Sequence, residues 1–253
     1  MTALEFAGVS KAFGGLRPLR IASLRVGRGE RVALVGFDAP MAEVFVNLAT
    51  GAALPDAGEV TQFGRPTSAI ADGAEWLAAV DRFGIVSGRA VLLEQMTVVQ
   101  NLAMPFTLEI EPPPAAERTR AEALAREVDL PEPTWAVAVS QLDAAAAMRV
   151  RLARAIAHDP QILLLEHASA AMARNLVHAF GATVQSVAKR RAIAVVAIYS
   201  ALGVRDERLS DQLGKAMLAG PMQWQAVKHL RRDRHEPDST CWYHASDFCL
   251  STL

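Results

Sequence analysis

The chain has 253 residues, 51% apolar and 21% charged, with a formal net charge of -1. That make-up is ordinary for a folded protein, and the length suits one α/β domain with a subdomain, or two small domains. It excludes a nucleic-acid binder, which needs a basic surface, and a disordered chain, which lacks apolar residues.

The first stretch alternates strand-like segments with turns: Leu4 to Val9, then Phe13-Gly14-Gly15, then Leu19 to Val26, then Gly27-Arg28-Gly29 ahead of the run Glu30 to Val35. This spacing predicts a small β layer feeding a buried strand. Residues Pro40 to Ala49 carry apolar positions at helical intervals, and Pro55 to Gly58 turns the chain into a further strand at Glu59-Val60. A strand-loop-helix unit on a parallel sheet follows.

The middle third changes character. Thr97 to Phe106 is followed by the stiff break Glu111-Pro112-Pro113-Pro114, and Ala121, Leu124, Ala125 and Val128 then recur at helical spacing. An inserted helical lobe over about 89–158 is expected, with its last helix from about Ala144 to His158. The run Ile162 to Leu165 reads as a strand covered on both faces. A helix over Asn175 to Lys189 leads to another buried strand, Ala192 to Ile198.

Between strand Glu30–Val35 and the next helix lies GFDAPMAE, Gly36 to Glu43. A phosphate-binding loop belongs at such a junction, and its pattern G-x-x-x-x-G-K-[ST] needs glycines to let amides wrap phosphate, a Lys to reach it and a hydroxyl for the metal. Only Gly36 fits. Ala39 and Met41 stand at glycine positions, Ala42 at the Lys and Glu43 at the Ser/Thr.

Four segments in this order, Glu30 to Gly36, Gly58-Glu59-Val60, Thr97 to Pro105 (TVVQNLAMP) and Arg149 to Leu165 (RVRLARAIAHDPQILLL), resemble the ATP-binding subunit of ABC transporters over roughly residues 3–227. The resemblance implies a P-loop NTPase-like α/β domain over 1–227: a mixed sheet core, an antiparallel β subdomain and the inserted helical lobe, with 228–253 an irregular tail. It also implies ATP and Mg²⁺ as family cofactors, clamped between two subunits.

Position by position, the resemblance assigns Phe13 to the adenine-stacking aromatic, although a lone Phe after a strand equally reads as core. Gly88 falls at the Gln that meets metal and water. Leu142 to Ala146 (Asp143, Ala144, Ala145, Ala146) stand for the signature loop, Glu166 for the Walker B Asp, His167 for the catalytic Glu, and Ser200 for the switch His. Ala170 to Ala173 replace a loop that ends in Asp. Glu166 retains a carboxylate for a cation and His167 a base near neutral pH, but neither replaces the phosphate cradle. Acids near a triphosphate cost about 4 kcal/mol per contact at 4 Å and an effective dielectric near 20. No bound cofactor, no metal and no working catalytic residue is therefore expected. Asp143 would also face a partner's γ-phosphate, so the signature loop could not serve in trans.

The acids have a positive reading as well. Asp143 stands as an N-cap for the helix starting near Ala144, and Asp38 precedes Pro40, a residue favoured in the first helical turn. They read either as internal caps or as ordinary surface acids at helix starts. Losses concentrated on nucleotide contacts beside intact apolar periodicity argue against simple gene decay.

Three functions compete: a pseudo-ATPase that docks on a permease or sister ATPase as a structural or regulatory piece, an authentic ATPase with unconventional residues, and a soluble interaction protein that has left transport. Docking in the family points to Leu92, Leu93, Thr97, Asn101 and Phe106, and a dimer is compatible. The longest apolar runs fall far short of the roughly 20 residues that span a bilayer. MTALEF has no basic segment followed by an apolar one, and Cys241 and Cys249 make no disulfide framework. The cytoplasm is the expected compartment, with peripheral attachment at the inner face of the cell membrane open. Lys228 to His235 reads as a solvated charge run, and His235, Cys241, His244 and Cys249 match no standard zinc spacing.

Overall fold

The computed structural model describes residues 2–14 and 18–200, together with the backbone of Lys228 and His229. Antiparallel and parallel strands separate into two sheets. The first runs β2-β1-β4-β5, built from β1 (Thr2–Lys11), β2 (Leu19–Gly27), β4 (Ala57–Gln62) and the short β5 (Arg65–Pro66). The second runs β6-β7-β8-β3-β9, from β3 (Arg31–Val35), β6 (Phe83–Ser87), β7 (Ile162–Glu166), β8 (Ala194–Tyr199) and β9 (Lys228–His229). All its pairings are parallel. β9 continues this sheet just past residue 227, within the segment expected to be an irregular tail. The readings on His235, Cys241, His244 and Cys249 lie outside the described residues, as does Gly15.

Alternation along the parallel strands builds two cores. Ile162 and Leu164 point with Val32, Leu34, Val196 and Ile198 toward α1 (Ala39–Thr50). Leu163 and Leu165 point with Ala33, Val195 and Ala197 toward α5 (Ala144–Ala155) and α6 (Arg174–Arg191). Each such side chain contributes about 1.5–3 kcal/mol on burial, and a one-residue register slip would exchange the faces. Helix α1 is packed between the sheets, with Phe45 stacked on Phe6 of β1 at 4.9 Å between ring centres. The β1–β4 pair needs glycine at 58, where φ is +79° and a Cβ would lie 2.3 Å from the Gly8 carbonyl.

Helix α2 (Gly73–Val80) lies outside both cores with no buried residue, whereas α3 (Val98–Ala103) and α4 (Ala115–Glu127) complete the helical lobe with α5. The lobe's helix ends at Ala155, three residues short of the expected His158, where Ile156 takes φ -98° and ψ 2° and the Ala157 and Asp159 amides bond three residues back, to Arg154 and Ile156, in a tightened turn. Strand β8 starts at Ala194 rather than Ala192, which caps α6 in the left-handed region. The lobe is fastened to α6 by Arg191, which donates to both carboxylate oxygens of Glu127 at 2.7 and 2.5 Å and to the Ile156 carbonyl at 2.8 Å. No helix among the described residues is long and apolar enough to cross a membrane.

Candidate functional site

In a parallel sheet every strand ends at the same edge, and ligands of open α/β sheets bind outside that edge. Gly36 follows β3, Gly88 follows β6, Glu166 ends β7 with His167 next, and Ser200 follows β8. One edge thus gathers the four strand-end positions singled out from sequence. Asp143 to Ala146 instead open α5 in the helical lobe.

At the head of α1 the helix begins at Ala39, leaving only Gly36, Phe37 and Asp38 between strand and helix. The amides of Gly36 and Phe37 both donate to the Tyr199 carbonyl, at 3.1 and 3.0 Å. Asp38 caps the helix, its Oδ1 accepting from the Met41 amide at 2.8 Å, and Pro40 has no amide to offer. Phe37 is buried edge-on against Phe45, ring centres 5.7 Å apart. Ala42 is fully buried, so the position read as the loop Lys faces the core. Phe13 and Met41 pack against the same core as α1, which suits the core reading of Phe13.

Asp143 repeats the arrangement on α5, its Oδ1 accepting from the Ala146 amide at 2.7 Å. Ala145 is buried and Ala146 packs on the lobe's core. Both acids are therefore helix caps, a role worth about 1 kcal/mol each.

The sequence reading missed Arg89. Its guanidinium lies 2.7 Å from Glu43 and 2.7 Å from Glu166, joining α1 to the end of β7 beside Gly88. Glu166 is only 3% exposed, and hydrogen bonding to it holds the Arg89 pKa above the ordinary arginine value. Two acids at positions expected to meet a metal are a signal that some cation is near. Among 26 Lys and Arg, spacing alone does not say which. His167 takes φ +46°, and its Nε2 is buried without a hydrogen-bond partner among the described residues. Burial of the Tyr199 hydroxyl raises its pKa.

A cleft of about 310 Å³ opens between the sheet and the lobe, lined by Ile85, Leu92, Met104, Pro105, Arg151, Arg154 and His158. Arg151 and Arg154 donate to the carbonyls of Ala90 and Val91 at 3.0 and 2.7 Å, and among the described residues neither has a carboxylate partner. Desolvation lowers both pKa values, with repulsion from Arg151 adding at Arg154. Leu92 belongs to this cleft, and Phe106 lies beside it, 6.0 Å from the His158 ring and under Arg120. Thr97 and Asn101 are used internally. Thr97 forms a capping box with Gln100, and Asn101, fully buried, bonds the amide and carbonyl of Leu93 at 2.8 and 3.0 Å.

Two sheets, a helix at the parallel sheet's edge and an inserted helical lobe define an ATP-binding-cassette type of α/β domain. The family model described as ABC transporter matches residues 19–170, and the chain belongs to that family. It is 30% identical over 203 residues to the ribose import ATP-binding protein RbsA of Cereibacter sphaeroides, covering 78% of this chain and 39% of that one. The chain spans about half or less of the length of the other curated relatives it matches. Among solved structures, it resembles cbiO1 of Clostridium perfringens with a TM-score of 0.67 at 16% identity over 80% of each chain. It also resembles the dimeric cassette MJ0796 bound to ADP and Pi, with a TM-score of 0.66 at 19% identity over 89% of this chain and 94% of that one. At those identities the structures speak to fold alone.

Proposed function

We propose that this chain is a non-hydrolysing member of an ABC transporter, a structural or regulatory subunit that docks on a membrane permease or a sister ATPase. One observation carries the reading: the amides that a phosphate loop would offer are bonded to the chain itself, Gly36 and Phe37 to Tyr199 and Met41 to Asp38. A triphosphate binds such a loop through free amides and the helix dipole, and here an aspartate already takes that place. The family's ATP and Mg²⁺ do not fit these residues. Ala42 is buried, Glu43 is an acid where a hydroxyl is needed, and Asp38 stands at the helix head.

The docking half of the reading is supported by the cleft beside Leu92 and Phe106 and by its two arginines, which have no carboxylate partner among the described residues. A partner helix with apolar residues and an acid fits that chemistry. The dimeric cassette among the similar structures makes a sister ATPase subunit the natural second partner. Membership of a transporter family supports a position at the cytoplasmic face of a membrane.

One observation favours the ATPase reading instead, the buried His167 Nε2 beside Glu166, a nitrogen with no hydrogen-bond partner among the described residues. An equilibrium ATP titration with and without Mg²⁺ separates them. No binding at millimolar nucleotide is expected, and micromolar binding with turnover would overturn the proposal. Detergent extraction of cells tests the docking half: the chain should co-purify with a permease or a second ATPase subunit. Recovery as a free protein would favour a soluble interaction role, and the double variant Arg151→Glu/Arg154→Glu should release it from its partner.

A further inference from the structure

Glu43 lies in the first turn and a half of α1, Glu166 closes β7, and Arg89 sits in the loop after β6. The arginine reaches both acids through different nitrogens, Nη1 to Glu43 and Nη2 to Glu166, each at 2.7 Å. Glu43 is half exposed, but Glu166 is 3% exposed, and removing the partner of a buried carboxylate is strongly destabilising. A guanidinium meets two carboxylates at once because its donors form a rigid planar fork.

The same loop is held from the other side by its backbone. Arg151 of α5 donates to the carbonyls of Gly88 and Ala90, at 3.4 and 3.0 Å, and Arg154 to that of Val91 at 2.7 Å. The Arg89 amide itself donates to Ser87 Oγ at 3.1 Å. Residues 88–91 are therefore tied to the core through one side chain and to the helical lobe through three carbonyls.

We propose that Arg89 is a resident cation: its guanidinium, set between Glu43 and Glu166, fills the position where a P-loop NTPase holds a divalent ion between its loop hydroxyl and its strand-end carboxylate. It thereby keeps the lobe on the core in one arrangement with no ligand. The metal comparison rests on the sequence reading of Glu43 and Glu166 as loop and strand-end metal positions, and so on the proposed function, whereas the clasp rests on the distances alone. A divalent ion comes and goes with its nucleotide. The guanidinium can leave only by stranding Glu166 without a partner, so the loop lacks an open state of comparable stability.

The test is a mutant cycle on the full chain, Arg89→Met, Glu166→Gln and both together. Thermal midpoint, hydrogen exchange at residues 88–91 and Mn²⁺ binding by electron paramagnetic resonance are the readouts. Arg89→Met should lower the midpoint by about 5 °C or more and speed exchange of the loop amides roughly tenfold, as expected for an opening that one strong ion pair had opposed. The double variant should recover most of the midpoint, because neither charge is then buried alone. The wild type should bind no Mn²⁺ at this site. An unchanged midpoint in Arg89→Met, additive losses in the double variant, or wild-type Mn²⁺ binding abolished by Glu166→Gln would each overturn the proposal. Should Arg89→Met not fold, Glu43→Gln, at an exposed acid, should still quicken loop exchange several-fold, and unaltered exchange would refute the clasp. ATP binding by the wild type would sink the functional reading and leave the cycle untouched.

Discussion

Arg191 and Glu127 hold each other through two parallel hydrogen bonds of 2.7 and 2.5 Å, joining the last turn of α6 to the end of α4. Their side chains are 22% and 19% exposed, so water screens the pair only in part. The helical lobe thus has a strong fastening to the core far from the sheet edge. Arg191→Met should cost about 1.5–3 kcal/mol, the range for charge-assisted bonds, seen as a lower midpoint in urea unfolding.

Asp38 and Asp143 each cap a helix whose head would face phosphate in a nucleotide-binding cassette. Either one changed to Ala should lose about 1 kcal/mol in urea unfolding, with Asn retaining most of it. A loss in neither variant would mean that the acids are ordinary surface residues.

Restoring the textual motif should not restore the site. Ala42 is fully buried beneath the antiparallel sheet's core, so Ala42→Lys drives a long charged side chain into packed apolar surroundings. The expected result is destabilisation by about 2 kcal/mol or more, and calorimetry with ATP should show no heat of binding even when Glu43→Thr is added.

Asn101 keeps the segment 93–97 folded over the lobe, since its amide oxygen accepts from Leu93 and its nitrogen donates to the carbonyls of Leu93 and Thr97 at 3.0 and 3.1 Å. Asn101→Ala leaves the Leu93 amide without its acceptor, whereas the Leu93 and Thr97 carbonyls keep the Met96 and Asn101 amides, so the cost is about 1–3 kcal/mol for one unsatisfied group. Urea unfolding should report the loss, and hydrogen exchange should place it at residues 91–97.

Asp56 fixes the end of β1, with its carboxylate accepting from Lys11 and from the Ala12 amide, both at 2.7 Å. The Lys11 hydrogen bond, then that of Ala12, lower its pKa below the usual 3.8. A depressed carboxylate pKa gives stability that is fully present above the unfolded value and is lost as pH falls through the folded one. Asp56→Asn should therefore trail the wild type by a constant margin from pH 5 to 7 and converge with it only as pH falls below the ordinary carboxylate range. Denaturation curves across that range check it.

Much of this architecture could be read from residue order. Continuous apolar runs marked β7 and β8 because both faces of a parallel sheet are covered, and acids ahead of Pro40 and Ala144 marked helix heads because capping is a local, short-range interaction. Helix α2 escaped notice for another reason: its eight residues are largely apolar, with Trp76, Leu77 and Val80, but two turns are too short for a helical period to stand out. Arg89 escaped because a side chain that bridges α1 and β7 depends on how strands are ordered, which periodicity does not encode. Tyr199 contributes through its carbonyl, a group every residue carries, so its closing of the loop amides has no sequence signature. Thr97 and Asn101 resembled docking residues by position, yet their side chains were needed for the lobe's own backbone.

The cap on α1 has a consequence for the cell. A cassette that draws its anion from solution gains stability as RT ln(1 + [L]/Kd), so its folded population rises and falls with the nucleotide pool. Asp38 is covalently part of the chain, and its contact with Met41 contains no concentration at all. Starved or fed, a cell would find this helix capped to the same degree.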